Sequence, residues 1–163
     1  LDFEIPTRGL IGYRNEFLTD TKGQGVINTL LLGYRPFAGD IGANEHGSMI
    51  SMEDGITMSY ALSNLQERGT LFVGHAVQVY KGMVVGQNSR SEDIEVNPCK
   101  EKRLSNMRSK GEGEAIKLDS IRNMTLEMCL EYIGDDELLE VTPKSLRIRK
   151  TILVSHLRRR SKD

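Results

Sequence analysis

The chain has little cysteine. Cys99 and Cys129 are the only two in 163 residues, too few for the disulfide framework that staples small secreted domains. Both are read as free thiols, with Cys129 on the buried face of a helix. Apolar runs are short as well: none approaches the roughly 18 residues of a membrane span, and the N-terminus lacks the basic-then-apolar order of a signal peptide. A soluble, cytoplasmic protein with no membrane partner is the expectation. The histidines, His46, His75 and His156, are isolated, and no Cys or His sits at metal-ligand spacing. No metal site is expected. The string Gly-x-x-x-x-Gly-Lys followed by Ser or Thr, which converges backbone donors and one lysine on phosphates, is missing. Gly23-Gln24-Gly25 follows a helix and enters a strand, the reverse of the dinucleotide-binding order, and reads as a turn. Ser48 beside Gly47 lacks the elbow of an exposed nucleophile. Glu53-Asp54 and Asp135-Asp136-Glu137 lie beside a turn or a helix end, where acids are ordinary solvated residues. These residues offer no catalytic constellation and no cofactor site.

What is present is segregated charge. Net charge is only -1, yet Lys100, Lys102, Arg103, Arg108 and Lys110 crowd into one short stretch against the single acid Glu101. The surrounding segment, 97–117, holds few apolar residues and cannot bury much of itself. A second basic group runs from Lys144 to Lys162 with no acid inside it: Lys144, Arg147, Arg149, Lys150, Arg158, Arg159, Arg160 and Lys162. Acids gather instead at Asp135, Asp136, Glu137 and Glu140. A local basic field on a nearly neutral protein attracts phosphate, so RNA or DNA is the natural partner. Ser105 and Asn106 add neutral hydrogen-bonding groups suited to sugar and base edges. Arg90, after the polar turn Gly86-Gln87-Asn88-Ser89, has two open roles: an ion pair with Asp93 or a phosphate contact.

Taken in order, Leu1 to Ile5 alternates as a half-buried strand does. A chain that opens inside a sheet suggests a piece cut from a longer protein. Thr7 is placed to cap a helix carrying Leu10, Ile11, Arg14, Phe17 and Leu18, and Gly25 to Tyr34 reads as a second strand. Strand, helix and strand make only half of a two-layer unit, so a missing half is implied. From Ala43 the texture becomes β-rich. Strands are expected at Ser48–Met52, Leu71–Val73, Ala76–Tyr80, Met83–Gly86 and Asp93–Val96, with a helix over Met58, Ala61, Leu62 and Leu65, and Lys81-Gly82 as a hairpin turn. After the basic loop, Thr125 caps a helix with Leu126, Cys129, Leu130 and Ile133 on one face, ended by Gly134. Leu138–Thr142 and Leu146–Lys150 form a hairpin with Leu146 and Ile148 inward and Arg147 and Arg149 outward. A last helix would span Thr151 to Lys162. The fold class is α+β: a partial strand-helix-strand unit followed by a β-rich domain with a long basic loop.

Several strings carry a specific resemblance. Arg8-Gly9-Leu10-Ile11-Gly12-Tyr13-Arg14, Leu65-Gln66-Glu67-Arg68-Gly69, Gly86-Gln87-Asn88-Ser89-Arg90, Val96-Asn97-Pro98-Cys99-Lys100-Glu101-Lys102, Asn106-Met107-Arg108 and Asp135-Asp136-Glu137-Leu138-Leu139-Glu140-Val141-Thr142-Pro143 occur in collinear order. Together they resemble the C-terminal part of the BipA (TypA) translational GTPases. The resemblance implies that residues 1–42 are the second half of a ferredoxin-like domain similar to the last domain of elongation factor G. Residues 43–163 are then the family's own C-terminal domain, with its loop at 97–117. It further implies a ribosome-binding region without catalysis of its own, acting in ribosome assembly and stress-related translation, with GTP and magnesium held by a GTP-binding domain outside this sequence. The implied partners are the ribosome, ribosomal RNA and an A-site transfer RNA. Lys100, Lys102, Arg103, Asn106, Arg108 and Lys110 would contact RNA, and Arg147, Arg149 and Lys150 would give secondary anchoring. The chain would be monomeric, with strand pairing possible through the truncated N-terminal unit. The alternative is a protein-interaction module that uses exposed strand edges, its basic residues merely solvating.

Overall fold

The structure, a computed structural model, describes residues 1–39, 47–101 and 118–160. In chain order the elements begin with α1 (Tyr13–Asp20), β1 (Ser48–Ser51), β2 (Gly55–Ile56), α2 (Ser59–Gln66), β3 (Gly69–Leu71) and β4 (Gln78–Val79). They continue with β5 (Val84–Asn88), β6 (Ile94–Val96), α3 (Leu126–Tyr132), β7 (Glu137–Val141), β8 (Leu146–Lys150) and α4 (Ser155–Arg160). The mixture is α+β.

Val84 and Val85, neighbours on β5, show how the core is layered. Successive side chains of a strand point to opposite faces. Val85 joins Met49, Leu62, Leu65, Leu71, Val79 and Val96 in one apolar cluster, while Val84 joins Cys129, Tyr132 and Ile148 in another. The sheet is therefore covered on both faces, by α2 on one side and by α3 with the β7–β8 hairpin on the other. Its strand order is β3-β5-β1-β6, with β1 antiparallel to β5 and parallel to β6. Each aliphatic side chain fully buried in this way contributes about 1.5–3 kcal/mol. The T-shaped contact of Phe72 on Tyr132, with ring centroids 5.1 Å apart, ties the second cluster together.

Local signals mostly hold in this part. Thr125 caps α3, its hydroxyl accepting from the Met128 N–H at 3.3 Å, and β7 pairs with β8 as the expected hairpin, with Leu139 opposite Ile148. Lys81-Gly82 is different. It makes a tight turn, with Gly82 at φ 85 and the Met83 N–H bonded to the Tyr80 carbonyl, but β4 and β5 do not pair. β4 pairs with β2, and β5 with β1 and β3. The turn moves the chain from one sheet to another, because the edge of β5 is already taken by β3. The first strand after α2 also begins earlier than expected, at Gly69 rather than Leu71.

Residues 1–39 contain α1, preceded by a 3-10 turn at Thr7–Leu10. Thr7 does not cap α1. Gly12, at φ 81, is its N-cap residue and separates the two turns, and any side chain there would collide with the Glu131 carboxylate of α3. The expected strands at Leu1–Ile5 and Gly25–Tyr34 are segments without ladder partners among the described residues, so the ferredoxin-like unit is not completed there. A strand needs a neighbour for its N–H and C=O groups. Within residues 1–39, Arg8 stacks 4.4 Å from the Phe37 ring centroid and bonds the Gly39 carbonyl, and Arg35 faces Glu4 at 3.8 Å. The expected boundary at 42/43 lies outside the described residues.

Candidate nucleic-acid interface

The basic loop departs from and returns to the same layer of the domain. On its outgoing side Pro98 is buried and its carbonyl accepts the Met58 N–H at 2.9 Å. Asn97 donates to the Glu53 carboxylate at 2.8 Å and accepts the Cys99 N–H at 2.9 Å, so the stem is held by side chain and main chain together. On the returning side Leu118 and Ile121 pack against the first apolar cluster. Gln66, at the end of α2, reads the Asp119 backbone with both of its amide groups, donating to the carbonyl at 3.0 Å and accepting the N–H at 3.1 Å. Met58 and Gln66 flank α2 at its two ends, so one short helix fixes both stems. The N-terminal signal for such a stem, Asn97-Pro98, was readable; the role of Gln66 was not, because a glutamine at a helix end is usually solvated.

Lys100 is exposed at the mouth of the outgoing stem. Lys102, Arg103, Asn106, Arg108 and Lys110 lie outside the described residues. Burial pushes the Cys99 thiol up, helped by Glu53 and Asp54, which keeps it protonated and a poor nucleophile. Burial does the same to the Cys129 thiol.

The second basic group divides. Arg147 is half-buried on the outer face of β8, and Lys144 is exposed at the hairpin turn. Arg149 also faces outward, but its Nε lies 2.7 Å from Glu140. The other Glu140 oxygen accepts from the Tyr80 hydroxyl at 2.7 Å, and burial together with that carboxylate raises the Tyr80 pKa. Lys150 is a correction. It was expected at the RNA surface, yet its side chain is 3% exposed, with Nζ at 2.7 Å from Asp93, 3.0 Å from Asp136 and 3.0 Å from Glu137. Burial alone would lower its pKa; the hydrogen bond to Asp93, then Glu137 and Asp136, outweigh it and hold the pKa above the ordinary lysine value. Ser48 extends the network, donating to Glu137 at 2.6 Å and sitting 2.9 Å from the Tyr132 hydroxyl, whose pKa burial pushes up to about 12. The network joins β1, α3 and the hairpin. A period-two reading would have found it, since Lys150 shares parity with the inward Leu146 and Ile148.

Two further expectations resolve locally. Asp93 is engaged by Lys150 and by the Ser48 N–H at 2.8 Å, while Arg90 is exposed. Arg158, expected among free terminal arginines, donates to Glu95 at 2.6 Å and to the Ile152 and Leu153 carbonyls, pinning α4 to β6. No helix among the described residues is long and apolar enough to cross a membrane.

Comparison with known proteins agrees with this layout. Residues 46–155 match the TypA/BipA C-terminal domain, and residues 1–45 match the elongation factor G C-terminus. A protein of Synechocystis named "Large ribosomal subunit assembly factor BipA" is 45% identical over 150 residues, covering 92% of this chain and 25% of its own length. Its Escherichia coli namesake is 48% identical, covering 99% of this chain and 27% of its own. An Arabidopsis thaliana protein named "Putative elongation factor TypA-like SVR3, chloroplastic" is 47% identical over 92% of this chain and 22% of its own length. The chain thus spans about a quarter of the length of the curated relatives it matches. With the family domain matched over most of its residues, the chain belongs to the TypA/BipA family.

Proposed function

We propose that this chain is a non-catalytic, ribosome-directed C-terminal region of a GTP-dependent translation and ribosome-assembly factor. The observation that carries this reading is the 48% identity, over 99% of the chain, to proteins named large ribosomal subunit assembly factor. The loop is the contact. Lys100, Lys102, Arg103, Arg108 and Lys110 take RNA backbone, Asn106 takes a sugar or base edge, and Arg147 anchors from the hairpin, with Arg149 engaged only so far as Glu140 releases it. Lys150 is not part of the surface. The stems held by Met58, Asn97 and Gln66 support this reading, since a charged loop can be aimed only if both of its ends are fixed.

In this reading the region positions the parent protein at the ribosomal A site, touching ribosomal RNA and transfer RNA, in a cytoplasmic monomer. In this reading GTP and magnesium are held by a GTP-binding domain of the parent protein, in keeping with the missing phosphate-binding string in this sequence.

Sedimentation with ribosomes across a salt series tests the loop. Five phosphates neutralised on single-stranded RNA give a slope of log K against log salt of about -3.5. Unchanged binding after replacing the five cations by glutamine would overturn the loop's role. A second reading, a strand-pairing protein module, is favoured by one observation: Val26, Leu30, Leu31, Leu32 and Tyr34 are exposed in sequence. Bulk RNA displaces an RNA binder and leaves a strand-pairing module bound.

A further inference from the structure

We propose that the groove between Asn123-Met124 and the β7–β8 turn is a pocket for one unstacked RNA nucleotide, its base on an apolar floor and its phosphates on Lys144 and Arg147. The proposal rests on the RNA reading above and names a binding site separate from the loop. The groove has a volume of about 460 Å³, within the range of about 300–1,000 Å³ usual for small-molecule sites. Phe72, Met124 and Ile148 are among its apolar walls, and among the described residues no carboxylate lines it.

The polar groups around it fall into two sets. Thr142 and Ser145 are consumed by the turn itself: the Thr142 hydroxyl donates to the Ser145 carbonyl at 2.9 Å and accepts the Ser145 N–H at 3.0 Å. That closes the turn and stiffens the rim. The side chains of Asn123, Lys144 and Arg147 make no hydrogen bond or ion pair with any described residue. The cross-strand neighbour of Arg147 is Glu140, but both Glu140 oxygens are engaged, by Arg149 and by Tyr80. The rim therefore presents two uncommitted cations and one uncommitted amide above an apolar floor.

An unstacked nucleotide matches each part. Its base has a flat apolar face, an edge of donors and acceptors that an asparagine can read, and flanking phosphates that need cations. An acidic peptide would use the cations and leave the floor empty. Position supports the same occupant: the returning stem of the basic loop, from Leu118, runs through Arg122, bonded to Gln87 at 2.9 Å, directly into Asn123-Met124. RNA held by the loop is led to the groove. Met124 also lines a neighbouring groove with Arg122, Thr70 and Ser89, in which the carboxylate of Glu131 disfavours a second phosphate.

The test uses the full chain, a short single-stranded RNA and an abasic oligomer of the same length and charge, with binding read by fluorescence anisotropy. The base-bearing RNA should bind about tenfold more tightly than the abasic one. The triple variant Asn123→Ala, Lys144→Gln, Arg147→Gln should lose about tenfold on the base-bearing RNA with an unchanged circular dichroism spectrum. 4-Thiouridine in the RNA should crosslink to the peptide carrying Asn123-Met124 in the parent and not in the variant. Equal affinity for the two oligomers, or for parent and variant, overturns the pocket while the loop's RNA contact stands. If the parent binds neither oligomer and does not pellet with ribosomes, the pocket and the RNA reading fall together. A polyglutamate peptide whose binding is lost in the same variant overturns the pocket in favour of an acidic protein partner.

Discussion

Residues 1–39 and residues 47–160 bury their apolar side chains to very different extents, although the runs are of similar texture. Leu30 and Leu31 are 85% and 78% exposed, whereas Leu62 is at 0%. The run Val26-Ile27-Asn28-Thr29-Leu30-Leu31-Leu32 is no less apolar than the strands of the central sheet. Among the described residues it has no neighbour to pair with and no layer to lie under. Around Leu62 both are present, because α2 covers a sheet whose four strands satisfy one another. The contrast teaches that an apolar run specifies a core only when the rest of its layer is there; until then it is a strand-like segment with open edges.

The strongest test lies in the joint that holds the hairpin to the sheet. Replacing Lys150→Met strands the buried Glu137 carboxylate and leaves the partly exposed Asp93 without its lysine, and should cost about 3–5 kcal/mol in urea unfolding, with the expected loss confined to residues 47–160. The same joint has a pH signature. Its lysine pKa is raised on folding, so the stability it contributes is fully present below the ordinary lysine value of about 10.4 and is lost only as pH rises beyond it towards the folded value. A loss of stability between pH 7 and 9 that Lys150→Met abolishes would contradict that sign.

Next in size, Leu62→Ala should cost about 2–5 kcal/mol by cavity formation, read as a fall in the urea midpoint at constant slope. Removing the α3 cap with Thr125→Ala should cost about 1 kcal/mol. Smallest of all, Leu31→Ala should stay within about 0.5 kcal/mol, as an exposed substitution does. A Leu31→Ala loss as large as that of Leu62→Ala would erase the distinction between the two regions.

Elements whose signals are local were legible in the sequence. Thr125 and Gly134 bracket α3, the alternation of Leu146 and Ile148 faces β8 inward, and the string Met58-Ser59-Tyr60-Ala61-Leu62 announces α2. Signals that depend on partners misled. Lys81-Gly82 has hairpin chemistry, but strand pairing is settled by which edges remain open. Leu126 and Leu130 share a helical face with Cys129, yet only Cys129 reaches the core. The second basic group counted Lys150 and Arg158 as surface charge because a charge run does not reveal where Asp93, Asp136, Glu137 and Glu95 will sit. Gln66 carries no sequence signal for its hold on the Asp119 backbone.

The sequence by itself determined the family, through collinear strings that do not depend on packing, and the α+β class, through periodicity and caps that act over a few residues. It also led to the expectation that a concentrated run of five cations faces solvent or a polyanion, because charge is not buried without partners; four of the five lie outside the described residues. Only the tertiary structure decided which cations are free. Lys150 and Arg158 are taken up by carboxylates 13 to 63 residues away in sequence, while Lys144 and Arg147 are left uncommitted beside a groove. Long-range pairing of that kind is a property of the assembled layers, since desolvated charges find their partners only when the sheet, the hairpin and the last helix have come together.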